Sequence, residues 1–119
     1  MPRLNMEANP IKNEGLLFVW AEIQSLLRPL CATQVETVDE PGEWAVDTPS
    51  GRPFLKLRVQ KRHVGLYLLP LYYHPGAMEP ELRSVLRGKT TFGFTQHTAL
   101  PLAALERQIE ACLGLVGLY

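Results

Sequence analysis

The first strong pattern along the chain has a helical period. In "NEGLLFVWAEIQSLLRPL" the apolar positions Leu16, Val19, Trp20, Ile23, Leu26, Leu27 and Leu30 recur every three or four residues, while Glu22, Ser25 and Arg28 fall opposite. This predicts a helix capped by Asn9 or Asn13 and ended near Arg28 by Pro29, since the residue before a proline is pushed out of helical backbone. Leu17 and Phe18 widen the stripe beyond one sheet face, so the helix is expected to be buried on more than one side. The period then drops to two. In "EWAVDT", Trp44 and Val46 alternate with Glu43, Ala45 and Asp47; in "FLKLRVQ", Leu55, Leu57 and Val59 alternate with Lys56, Arg58 and Gln60. The turn formers of "PSGRP" join the two as a hairpin. Setting Val46 opposite Leu55 also sets Trp44 opposite Leu57 and Glu43 beside Arg58, a register on which both faces agree.

The stretch "KRHVGLYLLPLYYHPG" departs from simple alternation. With Lys61-Arg62 as a hairpin tip, Val59 pairs with Val64, Leu57 with Leu66 and Leu55 with Leu68. The outward side then carries Gly65, Tyr67 and Leu69, continued by Leu71 and Tyr73, beside the basic Lys56 and Arg58. Pro70 has no N–H for a ladder, so the strand ends, bulges or becomes an edge there. "YYHPGAMEP" reads as a loop, and "PELRSVLRG" as a short helix with Pro80 in its first turn and Gly88 at its stop. "TTFGFTQ" is another strand, with Phe92 and Phe94 inward. "PLAALERQIEACLG" is a closing helix with a stripe of Leu102, Leu105, Ile109, Cys112 and Leu113. The whole predicts an α+β fold: a small antiparallel sheet of about four to five strands with helices packed on one face. Trp44, Val46, Leu55, Leu57, Leu66, Leu68, Phe92 and Phe94 should form that face, covered by Trp20, Ile23, Leu105 and Ile109.

At 119 residues, the chain is read as one domain spanning 1–119. Twelve basic residues balance twelve acidic ones, which argues against a general nucleic-acid binder. Pro70 breaks the longest apolar run, short of the roughly 20 residues of a membrane span. "MPRLNMEANPIKNEG" lacks the apolar core of a signal peptide. The expectation is a cytoplasmic protein with no membrane partner.

Candidate chemistry changes this picture little. Cys31 and Cys112 show no C-x-x-C or zinc spacing and read as reduced, buried thiols. Gly88-Lys89-Thr90 is not a phosphate loop: Arg83 stands where another glycine is required, and a helix precedes it instead of a strand. Lys89 reads as a cation near a helix C-terminus. His63, His74 and His97 are scattered, and no serine lies in a Gly-x-Ser-x-Gly setting, so no nucleophile–base pair is selected. Charge is segregated. Five acids (Glu36, Asp39, Glu40, Glu43, Asp47) precede five bases (Arg52, Lys56, Arg58, Lys61, Arg62), a distribution that adjacent strands would neutralise.

The segment from about Val64 to Ile109 resembles the YdhG-like family of small bacterial proteins. The resemblance rests on Leu68, Pro70 and Tyr72 at a strand end, then Gly88, Lys89 and Thr90 leading to a strand containing Phe94. It implies an α+β sheet with helices packed against it, in a family of mostly unknown function. One branch of that family is described as frataxin-like, an intracellular iron chaperone using an acidic ridge on the first helix and neighbouring strand. Here the first helix offers only Glu14 and Glu22, and the remaining acids lie from Glu36 to Asp47.

The functional expectation is a non-catalytic binding or interaction protein without cofactor or metal, using an apolar and basic sheet face. Its candidate binding residues are Lys56, Arg58, Tyr67, Leu69, Leu71, Tyr72, Tyr73, His74 and Lys89, open to an identical subunit, a protein partner or a small ligand. The alternative is frataxin-like iron delivery through the Glu36–Asp47 acids. A competing structural reading has the C-terminal "GLVGLY", or a helix, folding over the same face.

Overall fold

Residues 14–119 are described by a computed structural model. Asn9 and Asn13, proposed as caps, lie outside the described residues. Helix α1 (Glu14–Leu27) leads into a 3-10 turn (Pro29–Cys31), and proline terminates it where expected. Five strands follow: β1 (Val35–Glu40), β2 (Glu43–Asp47), β3 (Pro53–Val59), β4 (Val64–Leu68) and β5 (Thr91–Phe94). They form one antiparallel sheet whose spatial order is the sequence order. Between β4 and β5 lie a single helical turn, α2 (Pro70–Tyr73), and 3-10 segments at Pro75–Ala77 and Pro80–Val85. Helix α3 (Leu102–Leu113) closes the chain's regular structure. The fold is α+β.

Both hairpin registers follow from the apolar alternation. Trp44 faces Leu57 and Val46 faces Leu55; Leu57 faces Leu66, which in turn faces Phe92. All eight residues of the expected sheet face are buried, as are Trp20, Ile23, Leu105 and Ile109 against them. The Trp20 indole N–H donates to the Leu57 carbonyl at 2.9 Å, so the helix is pinned to the central strand without an orphaned donor. A bulge at the start of β3 adds to this core. Asp47 pairs with Pro53 while Val46 pairs with Leu55, leaving Phe54 as the extra residue. The bulge interrupts the alternation, and both Phe54 and Leu55 are buried.

Three expectations are corrected. First, β1 is a strand that the pattern did not reveal: "VETVDE" is exposed at nearly every position, because an edge strand beside a covered neighbour has no alternation to enforce. Second, α1 is buried on one side only. Phe18 is 68% exposed and Leu17 37%, bordering an open groove with Pro41; the helix meets the sheet and α3 along one stripe. Third, Leu71 is not on the outward side. The strand stops at Leu68, and Pro70 opens a helical turn that replaces the two-residue period, leaving Leu71 only 1% exposed.

Candidate functional site

Because α1 and α3 pack on the same side, the other side of the sheet keeps its polar residues at the surface, with Lys56 and Arg58 both exposed. Register arranges them in two rows across the strands. One row runs Ala45, Lys56, Tyr67, Thr91; the next runs Glu43, Arg58, Gly65, Gly93. An open cavity of about 350 Å³ lies over these rows, lined by Lys56, Arg58, Gln60, Gly65, Tyr67 and Thr91. A second depression towards β1 shares Lys56 and Arg58 with it.

The cationic wall is only lightly neutralised. Glu43 lies 3.8 Å from Arg58, as the register implies, with both side chains about half exposed. Such a pair contributes little. Among the described residues, Lys56 and Arg87 enter no ion pair. Arg87 comes from the segment after the Pro80–Val85 3-10 stretch, held beside the sheet edge by the bond from its N–H to the Thr91 carbonyl at 2.7 Å. Its side chain lies across Gly93, where a Cβ would come within 2.5 Å of the Arg87 Nε. His63 Nε2 and Gln60 flank the Gly65 position. Burial, and then the nearby Arg87 charge, hold the His63 imidazole below its ordinary 6.5.

All four tyrosines gather towards one end of this face. Tyr67 is half-buried, and its hydroxyl is pushed above the ordinary value by burial and by the neighbouring Tyr73 and Tyr72. Tyr72 and Tyr73 meet edge to face at 5.1 Å, and Tyr73 stacks on Tyr119 at 5.9 Å. Arg52 lies 5.6 Å from both stacked rings, and the Lys89 ammonium sits 5.4 Å from the Tyr72 ring. The chain end is tied here as well: the Tyr119 hydroxyl donates to the Pro53 carbonyl at 3.0 Å, and His74 Nε2 lies 3.0 Å from the Leu118 carbonyl. "GLVGLY" therefore docks at the entrance of β3. None of its residues lines the cavity.

Of the nine expected binding residues, Lys56, Arg58 and Tyr67 line the cavity. Tyr72, Tyr73, His74 and Lys89 join the adjoining aromatic cluster, Leu69 is half-buried where the strand gives way to α2, and Leu71 belongs to the core. Sequence reasoning missed Gln60, Thr91, Arg87 and Arg52. Thr91 and Arg87 reach the face only through the β4–β5 pairing, whereas Gln60 continues the alternation of Lys56 and Arg58 and was open to inclusion.

Two members of the acidic run are engaged elsewhere. Arg28, at the end of α1, holds Glu36 at 2.7 Å and Asp39 at 2.9 Å, and Gln24 donates to Asp39. Glu36 also accepts the Trp44 indole N–H at 2.8 Å. Among the described residues, no group of three His, Cys, Asp or Glu side chains is placed to hold a metal ion. Cys31 and Cys112 are free and buried, and burial pushes their thiols up to about 11 and about 12. No helix among the described residues is long and apolar enough to cross a membrane.

No protein-family model matches the chain, and neither does a curated protein or a solved structure.

Proposed function

We propose that the chain is a non-catalytic binding protein that receives a small ligand on the outer face of its sheet. The observation that supports this is the concavity framed by Lys56, Arg58 and Tyr67, three residues from two neighbouring strands with no helix among the described residues over them. Side chains on paired strands of a sheet buried on its other face are held by a rigid support, which suits a preformed site. The YdhG-like resemblance is compatible with this reading and names no ligand. Frataxin-like iron delivery has less support, because Glu36 and Asp39 are already engaged by Arg28.

A screen of anionic, cationic and neutral small molecules, read by backbone amide shifts, tests the proposal. Saturable shifts at Lys56, Gly65 and Tyr67, with at least a tenfold loss of affinity in the Lys56→Ser/Tyr67→Ser double variant, are expected. Shifts confined to other surfaces would overturn it. So would a concentration-dependent dimer that buries this face and falls apart in the double variant, since the face would then serve self-association.

A further inference from the structure

In the middle of the outer face two neighbouring strands meet at glycines. Gly65 and Gly93 stand directly opposite each other in the β4–β5 ladder. Neither has the positive φ that would demand glycine; that conformation belongs to Gly42, Gly51 and Gly117. Glycine inside a strand costs backbone entropy and packing, and commonly marks a place where another group approaches the backbone. At Gly65 an added Cβ would meet nothing closer than 3.7 Å, so no packing constraint in the fold requires the residue to be glycine. At Gly93 the missing side chain gives Arg87 its seat.

We infer that this cavity takes a small organic anion, a phosphate or carboxylate carried on a flat body, with the anionic group over Gly65 beside Arg58, within reach of the neighbouring Arg87, and the flat body against Tyr67. The inference rests on the outer face being a binding surface and adds the chemistry of what binds. Among the described residues no acid lines the cavity, while Lys56, Arg58, the Gln60 amide and the Thr91 hydroxyl all offer donors. Guanidinium forks suit the paired oxygens of a carboxylate or phosphate better than a point charge does. Arg87 is tethered through its own backbone at the sheet edge, and its exposed side chain needs only to lift from Gly93 to engage a ligand. The Tyr67 ring supplies an apolar wall that a bare inorganic anion would leave unused. The volume, about 350 Å³, lies at the lower end of small-molecule sites.

The test titrates the labelled protein at low salt with phenyl phosphate, benzoate, inorganic phosphate and uncharged benzamide, following the Gly65, Gly93 and Tyr67 amides. Phenyl phosphate or benzoate should shift all three saturably, and which of the two binds tighter identifies the anionic group. Inorganic phosphate should bind at least tenfold more weakly, and benzamide should leave the Gly65 amide unmoved. Arg87→Gln, an exposed change that spares the core, should weaken the aryl anion about tenfold. Gly65→Val should abolish its shifts by filling the floor, with the remaining amide spectrum reporting an intact fold. Arg107→Gln, which removes the ion pairs from α3 to Glu79 and Glu81 away from this face, should change nothing. Equal binding of benzamide and phenyl phosphate, or indifference to Arg87→Gln, would overturn the inference. A neutral or cationic compound bound at Lys56 and Tyr67 while both aryl anions fail would overturn it and leave the binding function standing. No binding of any compound at this face would remove both.

Discussion

Gln108 shows how much one polar side chain can organise. It is completely buried in α3, yet its amide oxygen accepts the Glu79 N–H at 2.7 Å and its NH2 donates to the Ala77 carbonyl at 3.0 Å. It therefore satisfies the backbone of the loop that carries the chain from the tyrosine cluster to β5. Gln108→Leu keeps the volume and strands both partners. Urea unfolding should show a loss of about 2–6 kcal/mol, at roughly 1–3 for each of the two unsatisfied buried groups. A loss below about 1 would mean that water replaces the amide. His63 makes a second residue-scale prediction. Its folded pKa is depressed by burial first and by Arg87 second, so the unfolded chain takes up the proton at higher pH than the folded one. Its contribution to stability is thus fully present above about 6.5 and is lost as pH falls from there through the folded value. An NMR titration should find the imidazole midpoint below that of free histidine. Arg87→Gln should raise it only part of the way, because the burial remains.

At the scale of elements, the decisive events are the end of β4 and the anchoring of β1. Proline at position 70 cannot continue the ladder, but its fixed φ suits the first position of a helical turn. The turn leaves Tyr72 and Tyr73 exposed and Leu71 buried, so an outward side expected to run to Tyr73 shrinks to Gly65 and Tyr67 within the strand itself. Edge strand β1 is held less by burial than by polar ties across to α1 and β2. Glu36 is central to these, since it meets both Arg28 and the buried Trp44 indole. Glu36→Ala should destabilise the protein by about 1–3 kcal/mol, mainly by stranding the indole N–H. Asp39→Ala, which breaks only exposed contacts, should cost less than about 1 kcal/mol. Equal losses in thermal melts of the two variants would show that the indole bond is not what anchors the edge.

For the molecule as a whole, the sheet is two-sided in chemistry. One side is hydrophobic core under α1 and α3, and the other is a basic, aromatic and concave surface. Leu57 lies at the centre of the first, fully buried between Trp44 and Leu66 and capped by Trp20 through its carbonyl. Leu57→Ala should cost about 2–5 kcal/mol, the range for a truncated core leucine. Lys56→Ala, one residue away on the exposed side, should change unfolding stability by less than about 0.5 kcal/mol. The contrast between adjacent positions is the check: similar losses would mean that the outer face is packed rather than open.

The alternation of Trp44, Val46, Leu55, Leu57, Leu66 and Leu68 by itself determined the central three strands and their register. A period-two pattern flips every side chain if it slips by one residue, so only one pairing buries them all. The stripe from Leu16 to Leu27 likewise determined the first helix, and Pro29 its end. The sequence also singled out Lys56, Arg58 and Tyr67, because they share a parity once the register is known. Only the tertiary structure decided the rest. β1 has no periodic signal because, as an edge strand held by polar ties, it buries almost none of its side chains. The fate of Leu71 depended on whether proline ended the strand in a loop or in a helical turn, two outcomes that its fixed φ permits equally. The place of Arg87 over Gly93, and of Arg52 beside Tyr73 and Tyr119, depends on long-range pairings between segments whose local patterns carry no record of one another.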